Sequence, residues 1–240
     1  MTDPIDRPYR PTVALVTGGN RGLGLAFARA LLDRGATVVV GARSPERVQI
    51  PGARVIALDV TDPDQVALLP ELVPDVTMVV NNAGVHFSTD IDRPDCVDVM
   101  RDVFDVNVFG LAAVTAALHD RLVANRGVIV NVLSAGSWLS GPGNIAYAGS
   151  KAAALSVTNS TRAVLGPRGV QVVAVHAGFI DTDMMASFPG AKLDPADVAT
   201  RALDAVVVGR QEVLVDRMSA GAKAAAGDPV PDFEPVAAAG

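Results

Sequence analysis

TVALVTGGNRGLGLAFARALLDRG, residues 12–35, reads as three pieces joined in order. Residues 12–17 form a short apolar run rich in β-branched side chains, the mark of a buried strand. Gly18, Gly22 and Gly24 follow, and the stretch LGLAFARALLDRG then repeats its apolar residues at helical spacing. Strand, glycine turn and helix together make a phosphate site. The glycines admit a close backbone approach, and the helix N-terminus presents free N–H groups and the positive end of its dipole. The spacing is TGxxxGxG and departs from the commoner GxGxxG fingerprint.

The same alternation continues downstream. ATVVVGAR (36–43) and ARVIALDV (53–60) supply a second and third strand, as a βαβ nucleotide fold requires. Strands are expected at 12–17, 36–41, 53–58, 76–81, 127–133, 170–175 and 212–215, with helices between them. Right-handed crossovers then give an α/β fold with one doubly wound parallel sheet, Rossmann-type, covered by helices on both faces. The helix after the third strand is expected to be short, because Pro63, Pro70 and Pro74 limit it. Residues 1–216 read as one catalytic domain. Residues 217–240 read as a mobile C-terminal tail, poor in bulky apolar residues and punctuated by Pro229, Pro231 and Pro235.

A second constellation lies in the C-terminal half. Tyr147 and Lys151 stand four residues apart in YAGSK, and Ser134 precedes the tyrosine by thirteen positions in VNVLSAGS. On a helix, residues i and i+4 share a face, so a phenol and an ammonium project together while a hydroxyl arrives from a strand end. A free phenol titrates near about 10, and a fixed cation brings it toward the working range. Taken alone, the pair also fits a solvated helix face.

Five motifs agree in order and spacing: TGGNRGLG (17–24), NNAG (81–84), Asn107 in FDVNVFG, Ser134, and YAGSK (147–151). In these the chain resembles the compact, single-domain short-chain dehydrogenase/reductases, over residues 12 to 216 or so. The resemblance implies the sheet order 3-2-1-4-5-6-7 and a catalytic set of Ser134, Tyr147, Lys151 and Asn107. It implies hydride transfer between a nicotinamide and a carbonyl or secondary alcohol, with Tyr147 as general acid/base and Ser134 binding the substrate oxygen. Lys151 would hold the nicotinamide ribose, and a break in the helix at Asn107 would hold a water linking Lys151 to solvent. Cofactor contacts are implied for Gly18, Asn20, Arg21, Gly22, Leu23 and Gly24 in the turn, and for Asp59 and Val60 at the third strand end. Asn82, Ala83 and Gly84 are further along, and Gly178, Ile180 and Thr182 lie after the sixth strand. Asn81 would pin the central strand to its neighbours.

Charge selects the cofactor. A carboxylate at the end of the second strand would bind free ribose hydroxyls and repel the extra phosphate of NADP. Here the strand ends in Gly41 and Ala42, followed by Arg43 and Ser44, while Arg21 sits inside the glycine turn. Two arginines and no acid favour NADP(H) over NAD(H), since a guanidinium fork matches phosphate oxygens.

Two stretches depart from the family. AGFIDTD (177–183) has Ala177 where proline is usual, which puts the rigidity of that turn in doubt, and His176 before it. His176 reads as a packed strand-end histidine; for His86, after NNAGV, substrate contact and plain surface both remain open. The end, EVLVD into RMSAGAKAAAG (212–227), lacks the usual tetramer-forming string, so a homodimer through the helices around 101–124 and 147–165 is expected in place of the tetramer. The substrate is expected to be a small, apolar carbonyl or alcohol compound, walled by Trp138, Leu139, Met184, Met185 and Phe188. Ser137 and Ser140 are rival hydroxyls without the family spacing to Tyr147.

Composition sets outer limits. The chain has 240 residues, 50% hydrophobic, enough for one α/β domain. A net charge of −6 offers no basic field for nucleic acid or an anionic membrane. No uninterrupted apolar run is long enough for a bilayer, and MTDPIDRPYRP lacks the blocks of a signal peptide, so a cytoplasmic location is expected. The single cysteine, Cys96, has acidic neighbours and reads as structural; no metal-ligand cluster is read. An NADP-sensing regulator of the same fold, without catalysis, would not need all four catalytic residues. A cofactor-independent lyase of the fold would be expected to carry arginine in place of Lys151 and to lose the glycine turn.

Overall fold

The computed structural model describes residues 12–226. Seven strands form one sheet: β1 (Val13–Thr17), β2 (Thr37–Ala42), β3 (Ala53–Ala57), β4 (Met78–Asn81), β5 (Val128–Val132), β6 (Gln171–His176) and β7 (Glu212–Leu214). Their order is β3-β2-β1-β4-β5-β6-β7, and every neighbouring pair is parallel. The helices between them are α1 (Gly22–Asp33), α2 (Pro63–Ala67), α3 (Leu69–Leu72), α4 (Cys96–Phe104), α5 (Leu111–Ala124), α6 (Ile145–Leu165) and α7 (Pro195–Val207). The expected doubly wound α/β sheet is present in the expected order. Each strand lies within two residues of its expected limits.

Strands buried on both faces read as near-continuous apolar runs, as VALVT and QVVAVH do. Successive side chains still point to opposite faces. Ala14 and Val16 pack with Phe27 of α1 and Val198 of α7, whereas Leu15 packs with Leu118 and Leu122 of α5 on the other face. All seven of these side chains are fully buried. Between β3 and β4 the prolines leave only the short α2 and α3, and Asp62 caps the first by accepting the N–H groups of Asp64 and Gln65.

The helical stretch Cys96–Ala124 is long and apolar enough to cross a membrane by length and composition. Asp98, Arg101, Asp102 and Asp105 interrupt its apolar residues, so no continuous run marks it in the sequence. Val103, Val114, Leu118 and Leu122 on this stretch are fully buried in the core, while Val97 and Phe109 are exposed. Cys96 is buried as well.

The domain edge expected at residue 216 is corrected. Arg217–Ala224 form a further helix, α8, whose first turn is capped by Asp216 accepting the Ser219 N–H at 2.8 Å. Ser219 is fully buried. This helix lies against the turn after β5. The remainder of the expected tail, residues 227–240, lies outside the described residues.

β1 pairs with both β2 and β4, so successive connections leave it in opposite directions. That reversal opens a crevice beyond the carboxyl ends of the strands, where open α/β sheets bind ligands.

Candidate active site

A cleft of about 950 Å³ occupies that crevice. Its floor is the glycine turn after β1. Gly18 and Gly22 adopt φ of 61° and 52°, conformations that L side chains rarely take. Gly24 is required by contact: a Cβ there would lie 2.3 Å from the Gly18 carbonyl oxygen. The N-terminus of α1 has Arg21 at its cap and no side-chain cap hydrogen bond. Its first N–H groups thus keep their capacity for an external acceptor. A pyrophosphate suits this cradle in size and charge.

Thr17 and Asn82 stitch the turn to the loop after β4. The Thr17 hydroxyl accepts the N–H groups of Asn82 and Ala83, each at 3.0 Å. The Asn82 amide donates to the carbonyls of Thr17 and Gly18. Thr17 was not singled out from sequence, although it immediately precedes the glycines. Asn81 pins β4 as implied, donating to Asn131 in β5 at 2.9 Å and to Thr115 in α5 at 3.1 Å.

At the end of the cleft beyond β2 and β3, Arg43 and Ser44 line it with Asp59 and Val60. Arg47, not anticipated, adds a third cation there; it lies four residues beyond Arg43 in the same loop. Arg21 differs from the expectation of a free cation, because its guanidinium pairs with Asp183 across the cleft at 3.1 Å. Both side chains are mostly exposed, so the pair is weakly held.

Three elements carry the four expected catalytic residues. Ser134 ends the extension of β5 and caps the tight turn Ala135–Ser137, its Oγ accepting the Gly136 N–H at 3.1 Å. Tyr147 and Lys151 project from α6, with the Lys151 Nζ 5.6 Å from the phenol ring centroid. Asn107 lies in a π-helical turn, Asp105–Gly110, that interrupts the run from α4 to α5. This is the expected break. The Asn107 side chain clamps Val85, accepting its N–H and donating to its carbonyl, and also donates to Ser150 Oγ at 3.0 Å. Gly84 keeps the space between these groups open: a Cβ there would lie 3.2 Å from Asn107 Oδ1 and 3.9 Å from Lys151 Nζ.

The electrostatics differ from the simple picture of a lysine depressing a phenol. Burial raises the Tyr147 pKa above 10, opposed by its hydrogen bond to Ser134. Burial lowers Lys151 from 10.5 to about 8, and its ammonium donates to the Val132 carbonyl at 2.9 Å. At neutral pH the lysine still carries most of its charge, but its ammonium is committed to a backbone carbonyl, which weakens its pull on the phenol. An anionic ligand in the cleft would favour the charged ammonium and restore that pull.

This has a measurable consequence for the fold. Between pH 8 and 10.5 the unfolded chain holds a proton on Lys151 that the folded chain has lost, so stability rises with pH across that window. Below it the cost of burial is fully present. From 10.5 to about 8, at about 1.4 kcal/mol per tenfold, the contribution is on the order of 3 kcal/mol. Urea unfolding of the cofactor-free protein across this window should show that rise, and Lys151→Met should lack it. The Val132 carbonyl orphaned by methionine adds no pH dependence, so equal slopes in the two proteins would contradict a depressed Lys151.

Beyond β6, Ile180 and Thr182 line the cleft, and Thr182 leans over the glycine turn within 3.0 Å of where a Gly22 Cβ would be. The turn lacking proline is held in other ways. The Gly178 N–H donates to Asp216, and the Ala135 N–H donates to the Ala177 carbonyl. His86 lines the cleft with its ring edge-on to Tyr147, centroids 5.0 Å apart, which favours the site over plain surface. Leu139, Met184, Met185 and Phe188 are walls as expected, joined by Phe179 stacked on Phe188 and by Met218 from α8. Trp138 is a correction: it stacks on His176 behind the serine turn and is not among the cleft-lining side chains.

Comparison with known proteins bears on this arrangement. Residues 12–192 match the family model described as short chain dehydrogenase. A 3-oxoacyl-(acyl-carrier-protein) reductase of Vibrio cholerae is 31% identical over 212 residues, covering 78% of this chain and 86% of that protein. Among solved structures, a short chain dehydrogenase from Burkholderia cenocepacia J2315 in complex with NADP has a TM-score of 0.86 at 34% identity, covering 91% of this chain and 94% of that one. A 3-ketoacyl-(acyl-carrier-protein) reductase from Brucella melitensis complexed with NADH has a TM-score of 0.76 at 27% identity, covering 85% and 95%.

Proposed function

Because the chain belongs to the short-chain dehydrogenase/reductase family, we propose that it is an NADP(H)-dependent oxidoreductase interconverting an apolar carbonyl compound and its secondary alcohol. The observation that carries this reading is the convergence of Ser134, Tyr147 and Lys151 on one cleft, with Asn107 buried behind its Val85 lining, and an uncapped, glycine-lined helix N-terminus at the other end.

The glycine turn and α1 would hold the pyrophosphate, Arg43 and Arg47 the ribose phosphate, and Ile180 and Thr182 the nicotinamide end. Arg21 would exchange its weak pairing with Asp183 for the same phosphate. When bound, the reduced nicotinamide supplies a hydride to the substrate carbon. The chain's own groups supply the proton and the charge stabilisation. Ser134 Oγ donates to the substrate oxygen as negative charge develops there. Tyr147 passes its phenolic proton to that oxygen. Lys151, its charged form favoured further beside the cofactor's anionic groups, stabilises the resulting phenolate. Asn107, beside the opening that Gly84 preserves, lies where a proton could be returned. The side chains of Leu139, Phe179, Met184 and Met185 exclude water and favour an apolar substrate.

The family neighbours include both NADP and NADH complexes, so the preference rests on this chain's own charges. Ala42 presents no carboxylate, and Arg43 and Arg47 stand beside it in the cleft. Val97, Phe109 and Val164 are exposed apolar residues on the α4 to α6 side and suit a two-fold pairing of copies.

A panel of apolar ketones and aldehydes, assayed by loss of reduced-cofactor absorbance, tests the reading. Turnover with NADPH exceeding that with NADH is expected. Binding of neither cofactor would overturn it.

A further inference from the structure

His176 is fully buried beside Ser134. It stands at the end of β6, directly before the turn that lacks proline. Its Nδ1 lies 3.1 Å from the Ser134 carbonyl oxygen. A carbonyl can only accept, so Nδ1 must carry the hydrogen, and this decides the tautomer. The other nitrogen, Nε2, has no hydrogen-bond partner among the described residues and lies 3.8 Å from Glu212 Oε1.

The charged groups around the ring come from three elements: Glu212 on β7, Lys223 on α8 and Lys151 on α6. Glu212 is itself paired with Lys223, and Lys223 sits over the Trp138 ring that stacks on His176 at 4.1 Å. Burial, the largest influence, keeps the imidazole below its usual 6.5 and therefore neutral at neutral pH.

The contact falls on Ser134, a residue whose placement the proposed reaction needs. Main-chain bonds zip the β5 extension to β6 on either side, from Leu133 N–H to the Val175 carbonyl and from Ala135 N–H to the Ala177 carbonyl. Between them, the Ser134 carbonyl also accepts the Ser137 N–H that closes the turn. The imidazole is thus a side-chain clamp on the serine's own peptide, backed by a stacked indole.

From this geometry we infer that His176 is a positioning residue: through its Nδ1–H it holds the Ser134 peptide so that the serine hydroxyl faces Tyr147 and the substrate oxygen. The inference rests on the catalytic reading of Ser134 given above.

Four variants test it in the full-length chain with NADPH. Ser134→Ala alone should lower kcat by about 10²–10³-fold, the usual worth of such a donor. Retention of the wild-type rate there would instead remove Ser134 from the mechanism and leave the cofactor reading standing. His176→Phe keeps the stacking and removes the donor; kcat should drop by about ten- to a hundred-fold with NADPH affinity unchanged. His176→Asn places an amide N–H near the Nδ1 position and should restore most of the rate. His176→Gln places it nearer Nε2 and should not.

The decisive comparison adds His176→Phe to Ser134→Ala. A group acting through Ser134 costs nothing further once the hydroxyl is gone, whereas a general packing defect costs the same in both backgrounds. An additive loss, or equal activity of the Asn and Gln variants, overturns the inference. Should the Phe variant fail to fold, ¹⁵N spectra of the wild-type imidazoles decide: His176, assigned by its absence in the Asn variant, should show protonated Nδ1 and bare Nε2. The opposite tautomer overturns the inference without any assay of turnover.

Discussion

Tyr147→Phe will lower kcat by on the order of 10²–10⁴-fold, the range general acid catalysis contributes, and will leave NADPH affinity nearly intact. The phenol lies at the inner wall of the cleft, held by Ser134 on one side and flanked by the His86 ring on the other. Phenylalanine keeps the ring and its packing and deletes only the proton that moves. Because that proton is transferred in the transition state and makes no claim on the bound cofactor, kcat and kcat/KM should fall together. Fluorescence titration with NADPH alongside steady-state rates checks both halves. A variant retaining most of the wild-type rate would remove Tyr147 from the mechanism.

The second large effect concerns the adenosine end. Ala42→Asp combined with Arg43→Ile places a carboxylate at the end of β2 and deletes one cation from the adjoining loop. Hydrogen bonds to a charged group are worth roughly 1.5–3 kcal/mol, and the new repulsion acts in the same direction. At about 1.4 kcal/mol per decade, kcat/KM with NADPH should fall at least tenfold, while use of NADH holds or improves. Arg21 and Arg47 remain in the variant, so the loss should be partial. Ala42 is buried at the strand end, and a melting curve of the variant separates a selective effect from general destabilisation. A wild type that already prefers NADH, or a ratio that does not move, would contradict the assignment.

Much of the scaffold is legible in the sequence because the sheet is parallel. The inner strands are buried on both faces, so VALVT, TVVVGA, VIVNV and QVVAVH announce themselves without needing a partner. The prolines at 63, 70 and 74 mark the short helices for the same local reason. The cradle, too, is local: Gly18, Gly22 and Gly24 are close in sequence and act through one turn.

What was not legible depends on residues far apart in the chain. The Arg21 to Asp183 pair spans 162 positions, and nothing near either residue signals it. Trp138 reads as a cleft wall beside Leu139, but the chain places it against His176 and under Lys223, contacts that exist only once β6 and α8 are packed. Residues 217–224 read as tail because apolar periodicity is weak there. The signal that was present is Asp216, a helix-capping residue followed by a stretch ending in Lys223. The coupling of Lys151 to the Val132 carbonyl likewise depends on how deeply α6 sinks against β5, and spacing within YAGSK carries no information about depth.

The central claim is that this cleft moves a hydride between a bound nicotinamide and a carbonyl carbon while Tyr147 moves the proton. Its most direct test uses NADPH doubly deuterated at C4 and any carbonyl compound turned over in the panel, with mass spectrometry of the alcohol formed. The account predicts one deuterium on the carbinol carbon in the wild-type product, and almost no product from Tyr147→Phe over the same time. Alcohol free of deuterium, or labelled alcohol formed equally fast by the phenylalanine variant, would contradict it.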